Sequence, residues 1–593
     1  AVIFGAVSLT DAAVTTAGDN SHGLYASDNM MSPGVGGTVT MSGGAVATTG
    51  ANSHGAHAAN GGTVTLTDAA VAASGAGSYA LYANGGTITA GVNGQNMSGA
   101  GGLLYAAGGA VSLTADGGSR LAGITALGGG GTAALTLNGG AIWTMPGNSS
   151  LTTLSLSDGR VVFAAPAAAG PYKTLTVTGN LAGSGGAFYL SANLGAELSD
   201  AISVGGTAVG RHALYVANAG GTPTNLYSTV RLLSVTGANT ATVGGGSDVG
   251  AWRYGVARGA ALPSAYTYGG AAVNTLAGAS GDCYLYNTFG PSTASRAAMG
   301  LSADTVVVWY GEMNEVKKRL GDLRMGAQSG DDFWARVYAD RYDVRPGGGG
   351  SYTQLMRGVE IGRDNPQSFA GGKKYTGFVL GTGRAGNTFA AGGGGATDSF
   401  YAGAYGSWLR DDGAYVDLIG KYNRFSHRFD TPLLGGGSDS GSYRNTGLGL
   451  SAEIGKRFER GHGAFIQPEA ELSALWAGRA SYTTANGLTV EAPAADSLQL
   501  RLGVTAGRKW QDAGGTAKQV YGKVSWVNEY RGANTVRVDG AAFDASLKGH
   551  QWVAGLGYIE DNGRRQLYID VEKSWGNTVS KSWGVNAGCR WKF

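Results

Sequence analysis

Three stretches near the start of the chain lie over one another almost residue for residue. VSLTDAAVTTAGDNSHGLYA begins at Val7, VTMSGGAVATTGANSHGAHAANGGT at Val39 and VTLTDAAVAASGAGSYALYANGGT at Val64, and a further unit opens at Ile88. The last two spacings are 25 and 24 residues; the first is 32 because it carries an extra SDNMMSPG. A short alternating strand, small residues and a Gly-Gly corner, repeated at a near-fixed period, specify a solenoid. Strands of Val, Thr and Leu with glycine corners and no helical period make it a β-helix. Each rung buries its apolar face on its neighbours, so only the ends of the array need caps.

Fifteen positions after the opening valine the three units carry His22, His54 and Tyr79, and His57 and Tyr82 follow three residues after the last two. Recurring histidines invite a metal reading. No carboxylate or cysteine accompanies them, so the slot reads as one that takes any flat side chain stacking along the solenoid. Neither a GxSxG elbow nor a GxxxxGK[ST] phosphate loop occurs. Gly75-Ala76-Gly77-Ser78 reads as a rung corner, and Asp11 and Asp68 of the repeated TDAA as turn acceptors. No catalytic residue, metal or cofactor is therefore expected in this half. Repetition becomes less regular after about residue 130.

Composition divides the chain in two. Residues 1–300 hold 8 of the 43 Lys/Arg and 10 of the 40 Asp/Glu, whereas ten of the twelve tryptophans follow residue 300. Halves so different in charge and aromatic content are expected to be domains in different environments. Neither half offers the clustered basic face of a nucleic-acid binder. Glycine is extreme at 107 residues, but without a Gly-X-Y period collagen is excluded. The two cysteines, Cys283 and Cys589, fall one in each half, neither a disulfide framework nor a ligand set. The chain opens on strand-like AVIFGAVSLT rather than a signal peptide, and no apolar run reaches the length of a membrane-spanning helix.

The second half begins with YGEMNEVKKRLGDLRM, a helix expected over about 310–326. Met313, Val316, Leu320 and Leu323 form its apolar stripe, with Lys317, Lys318, Arg319 and Arg324 around it. Alternating strands follow. In 333–340, Phe, Ala, Val and Ala oppose Trp, Arg, Tyr and Asp. In 415–423, Val416, Leu418 and Tyr422 oppose Asp417 and Lys421; in 567–573, Leu567, Ile569 and Val571 oppose Asp570 and Glu572. Turn pairs such as Asp412-Gly413 and Asn562-Gly563 separate neighbours. The final GVNAGCRWKF alternates too, with Val585, Ala587, Cys589, Trp591 and Phe593 against Asn586, Arg590 and Lys592, and is expected to pair with the strand near 333–340. About a dozen such strands fit, the pattern of a transmembrane β-barrel, apolar outside and charged inside. A water-soluble sandwich would bury Arg336 and Glu572 at heavy cost, whereas a lumen lets them meet water or opposite charge. A closed ring also leaves no sheet edge in the bilayer.

Several residues carry a family resemblance. Leu175-Thr176-Val177, Leu181, Gly183-Ser184-Gly185, Phe188, Asp200, Ile202, Val204, Gly206, His212, Leu214 and Val216, then 249–254 and Tyr284-Leu285-Tyr286, resemble the end of the passenger in pertactin-like autotransporters. GEMNEVKKRLGDLR followed by a barrel resembles the translocator of type Va autotransporters with pertactin-like or AIDA-like passengers. The resemblance implies an all-β chain: a right-handed parallel β-helix, then a 12-stranded antiparallel transmembrane barrel threaded by one α-helix. The implied divisions are passenger repeats over 1–170, an early-folding, templating segment over 171–290, a linker with the helix over 291–328, and the barrel over 329–593. It further implies a monomer anchored in outer-membrane lipid, assembled by the outer-membrane barrel machinery through the terminal aromatics Trp591 and Phe593. The passenger would be displayed at the cell surface as an adhesin or virulence factor facing a host surface or extracellular ligand. Some members cut themselves at an Asn-Asn pair in the helix; here Asn314 matches the first residue and Glu315 replaces the second. A secreted hydrolase on the same translocator, or a plain channel, are the alternatives, the latter at odds with the rungs and the helix.

Overall fold

The computed structural model describes the whole chain except residues 1, 3–4, 30–31, 167–169, 221–222, 224, 264–265, 269–270, 274–275, 277, 324–331, 493, 533 and 593. It divides into two compact units, one formed by residues 1–290 with 434–436 and one by the remainder.

In the first unit the repeats stack in register. Val7 pairs with Val39, Val39 with Val64, Val64 with Ile88 and Ile88 with Val111, all in parallel ladders. Each of these positions from Val39 onward is buried and its sequence neighbours are less so, because the period-two strand turns alternate side chains into the solenoid. A second parallel sheet runs through Leu24–Ala26, Ala56–Ala59, Tyr79–Asn84, Gly102–Ala107 and Thr125–Gly128. The extra SDNMMSPG contributes an antiparallel pairing of Asp28–Asn29 with Ser32–Gly36. Asp11 and Asp68 take left-handed turns at φ 48° and 54°, and Asp68 accepts a hydrogen bond from the Asn93 amide of the next rung at 2.9 Å.

Parallel stacking outlasts the visible repeat. It continues past residue 130 to the pairing of Arg211–Asn218 with Thr242–Val249. Pairing then turns antiparallel: Thr242–Val249 takes Trp252–Arg258, and Thr229–Val235 takes Cys283–Pro291. A switch of direction at the end of a stack satisfies backbone groups that another parallel rung would otherwise have to meet.

The second unit is a closed ring of twelve antiparallel strands. They are β1 Asp332–Val344, β2 Tyr352–Phe369, β3 Gly372–Phe389, β4 Gly394–Arg410, β5 Ala414–Pro432, β6 Ser438–Lys456, β7 Ala464–Ala477, β8 Ala495–Gln511, β9 Ala517–Glu529, β10 Gly549–Asp561, β11 Arg565–Gly576 and β12 Val579–Lys592. β12 closes the ring on β1, with Arg336 opposite Gly588 and Phe333 opposite Trp591. Val585 and Trp591 point outward while Asn586 and Arg590 are fully buried inside, as the alternation requires; the expectation for Phe593 lies outside the described residues. Outward on other strands lie Val337, Phe400, Leu418, Leu450, Leu556 and Ile569, all exposed, and inward Trp334, Arg336, Tyr338, Asp417, Lys421 and Glu572. The strands Ala480–Thr483, Thr489–Ala492, Thr535–Val538 and Ala541–Asp544, from the β7–β8 and β9–β10 connections, pair into a separate antiparallel sheet.

Among the described residues one α-helix, α1, spans Thr293–Leu323, beginning well before the expected residue 310. Ser292 caps it: its hydroxyl accepts the Ser295 amide at 3.2 Å and its carbonyl the Arg296 amide at 2.9 Å. Gly300 and the run Val306-Val307-Val308 disfavour helix locally, which is why the sequence hides this half. Packing overrides propensity, for Leu301, Val306, Val307, Val308 and Trp309 are all buried. No helix among the described residues is long and apolar enough to cross a membrane.

Candidate functional site: the helix-filled barrel lumen

α1 is enclosed by the barrel on all sides, as its bonds to eight different strands show. Its apolar stripe of Met313, Val316 and Leu320 is buried with Trp334 and Tyr338 of β1 and Met356 of β2. Near the start of the helix, Asp304 accepts hydrogen bonds from Gln354 of β2 and Thr397 of β4, and the Tyr443 hydroxyl of β6 donates to the Leu301 carbonyl at 3.1 Å. Tyr310 reaches Ser497 of β8 at 2.9 Å.

Below Tyr310 the contacts become ionic. Glu312 is held by Lys421 at 3.0 Å and by the Asn423 amide at 2.5 Å, both from β5. Lys317 pairs with Glu471 of β7, and Arg319 with Asp364 of β2, neither of the latter two exposed at all. Lys318 lies 2.8 Å from Glu315 and 3.2 Å from both Asp570 and Glu572 of β11. Arg336 of β1 donates to the Glu315 carbonyl at 2.5 Å and lies 3.7 Å from its carboxylate. Lys523 and Lys581 approach Glu572 at 2.5 and 2.9 Å. Thus Arg336 and Glu572, inward by alternation, find opposite charges, and the basic stretch 317–319 finds the barrel's acids. Each pair is buried, so an unanswered charge would carry most of its desolvation penalty.

Asn314 sits where this network meets open space. Its side-chain amide donates to Glu572 at 2.9 Å, and its oxygen faces Arg501 of β8 at 3.5 Å. It lines a cavity of about 80 Å³ between α1 and the barrel wall, with Lys317, Glu471, Arg501 and Glu572, and also borders a second of about 90 Å³. Glu315, by contrast, is buried and fixed by Lys318 and Arg336. The Glu572 and Arg501 partners of Asn314 lie over 180 residues away in sequence, and only the closed ring brings them to it.

On the passenger, the histidine slot is built as a ladder. The Ser21 amide donates to the Ser53 hydroxyl and the Ser53 amide to the Ser78 hydroxyl, at 2.9 and 2.8 Å. Beside it the His54 amide donates to His22 Nδ1 and the Tyr79 amide to His54 Nδ1, both at 3.1 Å. Tyr25, His57, Tyr82 and Tyr105 follow one another in the adjoining register. The rings stack: His22 on His54 at 5.0 Å and 4°, His54 on Tyr82 at 4.1 Å and 13°. Two of the three histidines thus spend Nδ1 on backbone, and burial lowers the pKa of His54 to about 4 and of His57 to about 3.

The Autotransporter beta-domain family model matches residues 333–570, most of the barrel, and the Pertactin model matches residues 151–262, the last rungs and the antiparallel end of the solenoid. The chain is 31% identical to the BrkA autotransporter of Bordetella pertussis over 465 residues, 77% of this chain and 44% of that one. It is 32% identical to the pertactin autotransporter of Bordetella bronchiseptica over 484 residues, 76% of this chain and 52% of that one.

The chain belongs to the autotransporters.

A third relative is the autotransporter adhesin/invasin TibA of Escherichia coli, 24% identical over 494 residues, 75% of this chain and 49% of that one. The chain spans about half the length of these relatives. In this autotransporter the barrel is the outer-membrane anchor, the passenger is pertactin-like and lies at the cell surface, and the buried ionic network joins α1 to the barrel wall.

Proposed function

We propose that this autotransporter uses its barrel to carry and anchor a passenger that works as a binding surface, adhesive towards a host surface or another extracellular ligand. The observation that carries the reading is the row of half-buried rings His22, Tyr25, His57, Tyr79, Tyr82 and Tyr105, one or two from each successive rung. Rings that are packed on one side and open on the other give a rigid contact surface at low entropic cost. The relative named an adhesin/invasin supports the same reading. The proposed divisions remain 1–170, 171–290, 291–328 and 329–593, with 171–290 the segment that folds first and a monomeric chain assembled by the barrel machinery through Trp591 and Phe593. Bacteria displaying the full chain should adhere to immobilised matrix protein or glycan, and Tyr82→Ala with Tyr105→Ala should reduce adhesion at unchanged display. Equal adhesion by both strains would sink the reading.

A second reading concerns the linker, and Asn314 Nδ2 at 2.9 Å from a Glu572 carboxylate oxygen favours it. A carboxylate there can accept a proton as Nδ2 attacks the Asn314 carbonyl carbon. The Asn314–Glu315 peptide bond breaks, the Glu315 amine takes a proton and Asn314 is left as a terminal succinimide. Mass spectrometry of surface-released chains tests it: an end at Asn314, lost in Asn314→Ala, is expected, and intact chain only would remove the proposal.

A further inference from the structure

The outer face of the barrel carries charge where the alternation calls for lipid-facing residues. Arg341 of β1, Arg357 of β2, Arg384 of β3, Arg424 and Arg428 of β5 and Arg444 of β6 are all exposed and on the outward face of their strands. The ladder places the last five side by side. Arg357 lies directly opposite Arg384, Arg384 opposite Asp398, Asp398 opposite Ser426 between Arg424 and Arg428, and Ser426 opposite Arg444. Each strand continues from this row into apolar outward residues: Val337, Val359, Leu380, Phe400, Tyr422 and Leu448. The row is therefore one border of the lipid-facing band, on β1–β6 only; at the corresponding ends of β7 and β10 the outward residues include Trp476 and Trp552.

Its level is fixed by the connections. The row lies towards the end where strands are joined through 478–494 and 530–548, whereas at the other end β2 and β3 are separated by two residues. Long connections mark the extracellular side of an outer-membrane barrel and short turns the periplasmic side. Against six arginines the same face carries Asp343, Asp398 and Asp430, and Asp398 is shared by Arg384 at 3.7 Å and Arg428 at 3.0 Å. Arg357 facing Arg384 across the strand pair is a like-charge arrangement, which costs stability unless an anion lies between them. Planar guanidinium groups in a row bind phosphate bidentately, and at this depth the available anion is a headgroup.

We propose that this one-sided arginine row is a docking surface for phosphorylated lipid headgroups of the outward membrane leaflet. The bound phosphates answer the facing arginines, and they orient the β1–β6 half of the wall towards charged lipid, away from the tryptophan-bordered strands β7 and β10.

The test uses the full chain folded in dodecyl maltoside micelles and titrated with fluorescently labelled lipopolysaccharide. Arg357→Gln with Arg384→Gln and Arg424→Gln is expected to weaken binding about tenfold or more. Arginine-to-lysine changes at the same positions should restore most of it, and enzymatically dephosphorylated lipopolysaccharide should bind the native chain no better than the intact lipid binds the triple variant. Arg508→Gln, an outward arginine near the other end of β8, should leave binding unchanged. Heat-dependent gel migration verifies the folded barrel, and single Arg384→Gln and Arg424→Gln chains give the same reading if the triple variant does not fold. Equal affinity of native and variant chains, or of phosphorylated and dephosphorylated lipid, overturns the proposal. So does complete displacement by inorganic phosphate at equal phosphorus, which would show a free-anion site, or an equal loss in Arg508→Gln, which would show bulk charge alone.

Discussion

Arg319 of α1 and Asp364 of β2 form an ion pair from which solvent is wholly excluded. Removing one partner leaves the other charge buried without an answer, at about 3–5 kcal/mol, whereas removing both leaves a polar gap of much smaller cost. Asp364→Ala should therefore lower the temperature at which the folded, fast-migrating barrel disappears on unboiled gels. Arg319→Ala combined with Asp364→Ala should recover part of that loss. An additive double variant would show that the pair is not coupled.

Trp309 of α1 and Gly449 of β6 are in such close approach that a Cβ on Gly449 would fall 2.0 Å from Trp309 Cζ2. Gly449→Ala should be destabilising by about 1–3 kcal/mol through overpacking of the lumen. Shortening Trp309 opens the space, so Gly449→Ala should cost far less in a Trp309→Leu background. The same thermal gel assay reads both chains.

The histidine ladder makes the passenger acid-sensitive. Burial holds His54 at about 4 and His57 at about 3, with His22 adding to both, below the usual 6.5. A histidine whose folded pKa is depressed stabilises the fold fully above pH 6.5, and that stability drains as pH falls towards the folded value. Protonation of Nδ1 also turns an acceptor of the His54 or Tyr79 amide into a donor facing it. Solvent screening of these half-buried rings leaves a total of about 1–2 kcal/mol. Limited proteolysis of the passenger should quicken between pH 6.5 and 4, and tyrosine at positions 22, 54 and 57 should flatten that profile. An equally steep profile in the tyrosine variant would refute the assignment.

The ring-closing strand sets a further expectation. Trp591 lies 6.4 Å from Phe333 across the β12–β1 seam. Deleting Phe593 should reduce the amount of heat-modifiable barrel in the outer membrane, and Trp591→Ala should do so less severely, with the passenger's protease-resistant fold intact in both. Native levels of barrel after the deletion would remove the terminal aromatic from assembly.

Much of this fold was legible because both halves are written in period two. Val7, Val39, Val64 and Ile88 announce their own register, and Phe333 to Asp340 announce which side of the ring each residue faces. What stayed hidden depended on closure. The first half of α1 contains Gly300 and three consecutive valines, and only enclosure by the barrel makes it helical. The acids meeting Lys317, Lys318 and Arg319 come from β2, β7 and β11, a convergence no local pattern can encode. The flat slot at His22, His54 and Tyr79 could be read from spacing, but its amide-to-Nδ1 bonds required the strands to be laid one on another. The outward arginines broke the alternation in plain view, yet their adjacency emerges only from strand pairing.

The unbroken register of Val39, Val64, Ile88 and Val111 has one more consequence. A rung senses only the rungs above and below it, so duplicating or excising one whole unit alters the surroundings only of the rungs it newly brings together. Each such event would change the solenoid by about 4.8 Å, one inter-strand spacing. Passenger length is thus a digital quantity, adjustable by recombination in whole steps with only the junction rungs finding new neighbours.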